Sequence, residues 1–382
     1  MVKKELPKSV YIHIPFCKSK CLYCGFFSNP ANLYDVKKVL NAEIAELRKS
    51  SFQKPAQTLY IGGGSPASVG IDSLCNFLAG VVNLVGNVDE FTVEINPADA
   101  DENLLVNLKN IGVNRISIGA QSFVQSELDF LGRKYSVEKI DQIVTAAKQA
   151  GFENIGLDLI FAIPGSDLKR WRQNLKKAIQ SDVQHISAYS LTYEKGTPLE
   201  KTKSAGKIKA VDEDTDRKMY ETAIEELTMG GFEHYEISNF AKAGFQCRHN
   251  LTYWKNKYYL GIGPAAASYI GDWRTENISD IGKYVECIEQ NKKPVAEKIK
   301  IGPLEKASQA AVLNLRLMEG VNLEEYKKKT GFDIYKLFSQ SIKKNLKLKL
   351  LQLKNGRLSL TKQALPIADS VLCDFAQPDG LL

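Results

Sequence analysis

An α/β fold carried by a parallel sheet is what the sequence predicts, on two observations. Short apolar runs alternate strictly with amphipathic stretches of helical period through the first half of the chain, as parallel strands joined by crossover helices do. Candidate ligand-binding residues fall at or just past the ends of the short runs, where such folds gather function. In chain order, the strand Val10–Ile14 is followed by a helix over Tyr34–Ser50, and Thr58–Ile61 by Asp72–Leu84. Glu90–Ile95 precedes the helix Asp101–Asn110, and Arg115–Ala120 precedes Val137–Ala150. Asn154–Phe161 leads into Leu168–Ser181, and His185–Leu191 is the sixth strand. Six such units suit an incomplete barrel as well as a doubly wound sheet.

A further helix is predicted over Asp212–Met229, and Phe232–Phe240 reads as one more strand. From about Ala241 the alternation stops. Asn250–Ile270 is rich in Gly, Tyr and Trp, and Asp272–Gln290 is partly helical in pattern. Helices near Leu304–Met318, Leu323–Lys329 and Asp333–Asn345 precede alternating apolar residues around Asn355-Gly356, a strong hairpin signal. With a last helix near Leu365–Phe375, this end reads as a winged-helix-like module. The expected division is residues 1–240, 241–303 and 304–382.

The 382 residues, 44% apolar and 25% charged, are ordinary for a globular chain and sufficient for a sizeable core. No run of eighteen apolar residues suggests a membrane span, and the N-terminal Met-Val-Lys-Lys-Glu-Leu-Pro-Lys has no apolar stretch behind it to make a secretory signal. The expectation is a cytoplasmic protein, and seven cysteines without paired spacing fit a reducing compartment. The net charge of +7 is concentrated in Lys runs of the last third, which read as solvated helix faces, so no nucleic-acid partner is expected.

Cys17, Cys21 and Cys24 stand as C-x-x-x-C-x-x-C just past the first strand. Soft thiolates select Fe–S, Zn or Cu(I). An iron–sulfur cubane normally takes four protein ligands, so three leave one iron open. Zinc would want a fourth ligand, for which His13 is the neighbour. Gly62-Gly63-Gly64-Ser65 ends the second strand and lets a ligand approach the main chain. Glu94 sits at the end of an apolar strand. Asp158 interrupts another, where an unpaired charge is costly and a ribose hydroxyl could partner it. Gln121 and Arg133 complete a polar set able to clasp a nucleoside.

These residues, in this order, resemble the radical S-adenosylmethionine (SAM) superfamily, and within it the group of oxygen-independent coproporphyrinogen III dehydrogenase. The motifs are Tyr11-Ile-His-Ile-Pro-Phe-Cys17…Cys21…Cys24, Gly-Gly-Gly-Ser-Pro, Glu94-Ile-Asn-Pro, Ile118-Gly-Ala-Gln-Ser-Phe, Asp158-Leu-Ile and Ile163-Pro-Gly, in the family's order, and the resemblance covers nearly the whole chain. The resemblance implies a partial (β/α)6 TIM-like radical SAM barrel with a mixed C-terminal region. It implies a [4Fe–4S] cluster on Cys17, Cys21 and Cys24, whose unique iron chelates SAM. Tyr11, Gly63, Gly64, Ser65, Glu94, Gln121, Arg133 and Asp158 match SAM-binding positions, with Asp158 on the ribose. The implied chemistry is one-electron cleavage of SAM to methionine and a 5′-deoxyadenosyl radical.

Two features separate branches of the group. The dehydrogenase pattern carries a fourth Cys where Phe26 stands, and a longer segment before its cluster than the sixteen residues preceding Cys17. His249-Asn250-Leu-Thr-Tyr253-Trp254 matches the H-N-x-x-Y-W motif of a heme-chaperone branch, which implies heme as a further cofactor and His249 as its ligand, with Cys247 as a nearby thiolate alternative. A Gly-rich segment that usually carries His has Ala267 instead. The resemblance therefore implies a heme chaperone rather than a dehydrogenase, with heme-recipient respiratory proteins and an electron donor as partners. Transient membrane association stays open. Rival readings are the dehydrogenase itself and a zinc-bearing winged-helix DNA binder.

Overall fold

The computed structural model describes residues 5–379. Met1–Lys4, part of the stretch read as lacking a secretory signal, lie outside the described residues. Six parallel strands follow one another: β1 (Ser9–Ile14), β2 (Thr58–Gly63), β3 (Glu90–Ile95), β4 (Arg115–Gln121), β5 (Ile155–Phe161) and β6 (His185–Ser190). Between them run α1 (Val36–Lys49), α2 (Ile71–Val85), α3 (Glu102–Ile111), α4 (Gln125–Leu131), α5 (Val137–Gln149) and α6 (Leu168–Gln180). Asp35, Asp101 and Asp167 start α1, α3 and α6 by accepting a backbone N–H with their side chains. Left-handed Gly112 and Gly132 stop α3 and α4.

Side chains alternate along each strand, and this alternation makes the site. On β4, Ile116, Ile118 and Ala120 are fully buried among the hydrophobic side chains of the core, while Arg115, Ser117, Gly119 and Gln121 line an interior cavity. Ile186 and Ala188 on β6 join the core, while Ser187 and Tyr189 face the cavity. The partial (β/α)6 barrel is thus lined by polar groups inside and packed by aliphatic residues outside.

The chain after β6 departs from the sequence reading. After α7 (Pro198–Ser204) and α8 (Glu213–Met229), the single strand expected over 232–240 is two antiparallel strands, β7 (Glu233–Glu236) and β8 (Asn239–Ala241). A bend at Ile237-Ser238 separates them. The polypeptide then crosses to the opposite side of β1. There α9 (Arg248–Trp254) leads into β9 (Tyr259–Ile262), parallel to β1, and antiparallel β10 (Ala267–Ile270), β11 (Trp273–Asn277) and β12 (Val295–Lys300). The twelve-stranded sheet runs β12-β11-β10-β9-β1-β2-β3-β4-β5-β6-β8-β7. The segment without strand–helix alternation therefore still extends the barrel sheet, and α10 (Ile281–Glu289) packs on α1.

At the C-terminal end, α11 (Pro303–Leu315), a short β13 (Val321–Asn322), α12 (Leu323–Thr330), α13 (Ile334–Leu337) and α14 (Ser339–Lys347) precede the hairpin β14 (Leu351–Lys354) and β15 (Arg357–Leu360). Asn355 and Gly356 both take positive φ, 50° and 69°, as a two-residue type I′ turn requires. The strands order as β13-β15-β14, and α15 (Ala368–Cys373) closes this winged-helix-like unit. The one helix expected over 333–345 is broken at Phe338, whose ring is fully buried against Phe375.

Candidate functional site

The cysteine loop, residues 17–24, lies across the C-terminal mouth of the barrel and is pinned on several sides. Ser65 N–H donates to Phe16 O at 2.6 Å, and Asn29 N–H donates to Pro15 O at 2.9 Å. On the far side, Leu22 N–H donates to Leu131 O at 3.1 Å, while Leu199 N–H donates to Leu22 O at 2.9 Å. Gly64 is required for this approach: a Cβ there would sit 2.1 Å from Phe16 O and 3.0 Å from Cys17 Sγ.

Cys17, Cys21 and Cys24 line one end of a cavity of about 620 Å³ that runs into the barrel. Burial pushes the Cys17 and Cys21 thiols up, and neighbouring thiols add to it, while Arg133 draws Cys21 back down. Such thiols lose their protons on binding metal. Among the described residues no three His, Cys, Asp or Glu side chains gather as ligands of one ion. A cubane does not ask them to, since its thiolates attach to different irons. His13 does not provide a fourth ligand: its Nδ1 meets the Tyr11 hydroxyl and its Nε2 the Phe27 carbonyl, each at 2.9 Å.

Gly63, Gly64, Ser65, Glu94, Gln121, Arg133 and Asp158 line the same cavity. Glu94 accepts from the Tyr60 hydroxyl at 3.0 Å and Gly63 N–H at 3.2 Å. Burial first, then the neighbouring Asp158, push its carboxyl up to about 7. A Cβ at Gly62 would come within 2.8 Å of the Glu94 carboxyl, so the glycine leaves its space to that side chain. Gln121 holds φ of 64°, a conformation costly for a side-chain residue, and its amide passes 2.8 Å from where Gly119 would carry a Cβ. Arg133 donates to the Tyr23 hydroxyl at 2.7 Å and lies over the Tyr23 and Tyr135 rings, with Nε buried and without a hydrogen-bond partner among the described residues. Asp158 stands in mid-strand rather than at the strand end expected. There Ser117 donates to it at 3.3 Å, and burial raises its carboxyl against the pull of Ser187 and Arg115.

Two expected site residues stand elsewhere. Tyr11 does not line the cavity. Its hydroxyl is taken by His13, its ring packs 6.1 Å from that of Tyr60, and burial, then nearby Glu94, raise its pKa. His249 is 1% exposed, with Nδ1 2.8 Å from Thr58 Oγ1 and Nε2 2.8 Å from the Tyr253 hydroxyl. Burial, then Arg115, lower its pKa to about 3. Neither ring nitrogen is open to a heme iron in this arrangement. Cys247 is also fully buried, and burial pushes its thiol up to about 12. The H-N-x-x-Y-W helix instead plugs the barrel's lower end. Glu90 accepts from the Arg248 and His249 N–H groups, and Asn250 looks into the cavity. Ala267 lies exposed on β10.

Sequence reasoning missed Tyr60, Arg115, Ser117, Ser187, Tyr189 and Asn250, all of which line the cavity. The polar residues at alternate positions of Arg115-Ile-Ser-Ile-Gly-Ala-Gln were the available signal.

The donors present fit a cluster and a zwitterionic nucleoside. Three thiols share a cavity with the Glu94 and Asp158 carboxylates, the Arg115 and Arg133 guanidinium groups, the Gln121 and Asn250 amides and glycine backbone. A half-open α/β barrel so furnished is the architecture of a radical SAM protein. The family description "Radical SAM superfamily" matches residues 11–178, and "HemN C-terminal domain" matches residues 301–367. The chain is 33% identical to heme chaperone HemW of Bacillus subtilis over 96% of its own length and 99% of the relative's. With heme chaperone HemW of Lactococcus lactis it shares 32% identity, over 98% and 99%. The solved structure of coproporphyrinogen III oxidase (HemN) from Escherichia coli shares the fold, with a TM-score of 0.84 at 18% identity, over 97% of this chain and 90% of that one. The chain thus belongs to the radical SAM superfamily, in the HemN-related group that includes the HemW heme chaperones. The cofactors of that superfamily are a [4Fe–4S] cluster and SAM.

Proposed function

We propose that this chain is a heme chaperone of the radical SAM type, which binds heme and delivers it to respiratory proteins. The observation that carries the reading is the shared cavity of Cys17, Cys21 and Cys24 with Glu94, Gln121, Arg133 and Asp158, taken with near full-length similarity to chaperones of heme. Cys17, Cys21 and Cys24 would hold the cluster. Gly63, Gly64 and Ser65 would meet the methionine end of SAM with backbone groups, Glu94 its ammonium, and Asp158 its ribose. Arg133 would set a positive charge beside the cluster, and the pinned loop would keep water out. When bound and reduced, such a cluster would supply the electron that cleaves a sulfonium. Phe26 stands where the dehydrogenase pattern has a fourth Cys, and this disfavours propionate decarboxylation. Delivery would take place from the cytoplasm; among the described residues no helix is long and apolar enough to cross a membrane.

The test uses anaerobically reconstituted full-length protein. It is expected to contain iron and sulfide, to bind SAM, and to give a saturable Soret change with hemin. Given SAM, a reductant and coproporphyrinogen III, it should form no protoporphyrinogen. Rapid product formation, or no hemin binding, would overturn the reading.

A further inference from the structure

If the chain handles heme, the tetrapyrrole needs a seat, and the histidines do not offer one. His13 and His249 have both ring nitrogens in hydrogen bonds. His185 meets the Tyr235 hydroxyl through Nε2, and its Nδ1 is sealed in the interior. The His234 ring stacks 4.3 Å from Phe240 and meets the Ile237 carbonyl. These are all the histidines of the chain.

We propose that heme docks by its face on the outer lip of the cavity, against Phe26, with its propionates toward Lys20 and no histidine on the iron. This rests on the heme-chaperone reading and adds the location and mode of binding. Phe26 is 72% exposed, although it stands two residues past Cys24 and lines the cavity. Tyr189, which lines the same cavity from the end of β6, is 41% exposed, with its hydroxyl turned toward Ser187 and Asn239 so that the ring is left to the opening. A large aromatic held in solvent beside a cavity marks a surface that gains by being covered.

The lip and the interior differ in chemistry. Deeper in, the cavity is walled by Arg115, Ser117 and Asp158, which suit a polar nucleoside. The lip offers aromatic faces, the Glu194 carboxylate beside Gly25 and, among the described residues, one cation without a carboxylate partner. Lys18 is engaged by Asp99 at 3.0 Å, whereas Lys20 lines the cavity and has no carboxylate partner among the described residues. A flat apolar macrocycle with carboxylates along one edge matches that combination. Binding by the face also suits a carrier, because the iron stays available to a recipient's ligand.

The experiment compares hemin with iron-free protoporphyrin IX on full-length, cluster-reconstituted protein, by absorption and by quenching of porphyrin fluorescence. Both are expected to bind, with dissociation constants within about threefold of each other. Phe26→Ala should weaken both about tenfold, the scale of one lost aromatic stack. Lys20→Glu should weaken both about threefold, more at low than at high salt. Circular dichroism and iron and sulfide content check that each variant is folded and loaded. The inference is overturned if hemin binds and protoporphyrin does not, since the iron would then need an axial ligand. Equal binding by the parent protein and Phe26→Ala overturns it as well. If the parent protein binds neither ligand, the heme-chaperone reading itself falls and the platform with it.

Discussion

Replacing Gly64 by alanine tests whether the glycine triplet holds the cysteine loop in place. The new Cβ would lie 2.1 Å from the Phe16 carbonyl oxygen and 2.7 Å from its carbon. Carbon and carbonyl oxygen ordinarily come no closer than about 3.3 Å, so the two backbones must part by about 1 Å. Both are main chain, and no rotamer change can relieve the contact. The separation breaks the 2.6 Å bond from Ser65 N–H to Phe16 O, worth about 0.5–1.5 kcal/mol. It also adds the roughly 1–3 kcal/mol that overpacking costs. Urea unfolding should therefore show a loss of about 2–4 kcal/mol with an unchanged slope. Because Cys17 follows Phe16 directly, iron and sulfide retained after anaerobic reconstitution should fall by half or more. Gly282→Ala, on α10, is the control. Its Cβ would meet only Asp280 Oδ1 at 3.4 Å, and helix propensity should add up to about 1 kcal/mol. A Gly64→Ala protein with full cluster content and parental stability would refute the role given to this glycine.

Three further outcomes are expected. Glu94 titrates near 7 in the free site, raised first by burial, and its carboxylate is the form that meets an ammonium. SAM affinity measured by equilibrium dialysis should thus fall about tenfold from pH 8 to pH 6, and Glu94→Gln should bind weakly at both. His249→Ala removes partners of Thr58 and Tyr253 in the interior and should cost about 2–4 kcal/mol in urea. Hemin titration of the folded fraction should be unaltered; a lost Soret band would restore the histidine as a heme ligand. Glu43 is fully buried with neither carboxyl oxygen hydrogen-bonded among the described residues, and burial, then Glu46, raise its pKa well above the usual range. The folded state therefore keeps a proton that the unfolded chain releases above about pH 4.3, and stability declines as pH rises through that value. Glu43→Met should stabilise by about 1–3 kcal/mol at pH 8 and flatten that decline. An unchanged pH–stability profile would show that this group is not protonated in the fold.

The parallel strands and their helices were legible because each strand buries one face under a helix, which leaves a continuous pattern in the sequence. The cysteine triplet was legible from its spacing, Gly63 to Ser65 and Glu94 from their places at strand ends, Asp158 as a charge inside an apolar strand, and these with Gln121 and Arg133 through the family resemblance; the structure brings all of them to one cavity. Asp158 stands in mid-strand because this cavity runs down inside the barrel, which no local pattern reveals. The hairpin of β7 and β8 was read as one strand, since its two-residue bend carries neither Gly nor Asn. His249 read as a ligand because sequence shows the imidazole but not its two hydrogen-bond partners, one of which lies 191 residues away. Helix α4 is seven residues long, too short for an apolar period to show.

The position of β9 has a consequence for biosynthesis. The strand that leads into the cysteines acquires its second neighbour only from residues 259–262. Ribosomes add about 5–20 residues per second, so roughly ten seconds or more pass between emergence of the two segments. Until then the strand feeding the future iron site has a bare edge. Assembly of the inorganic centre on a fully supported loop thus belongs to the last stage of translation or to the released polypeptide.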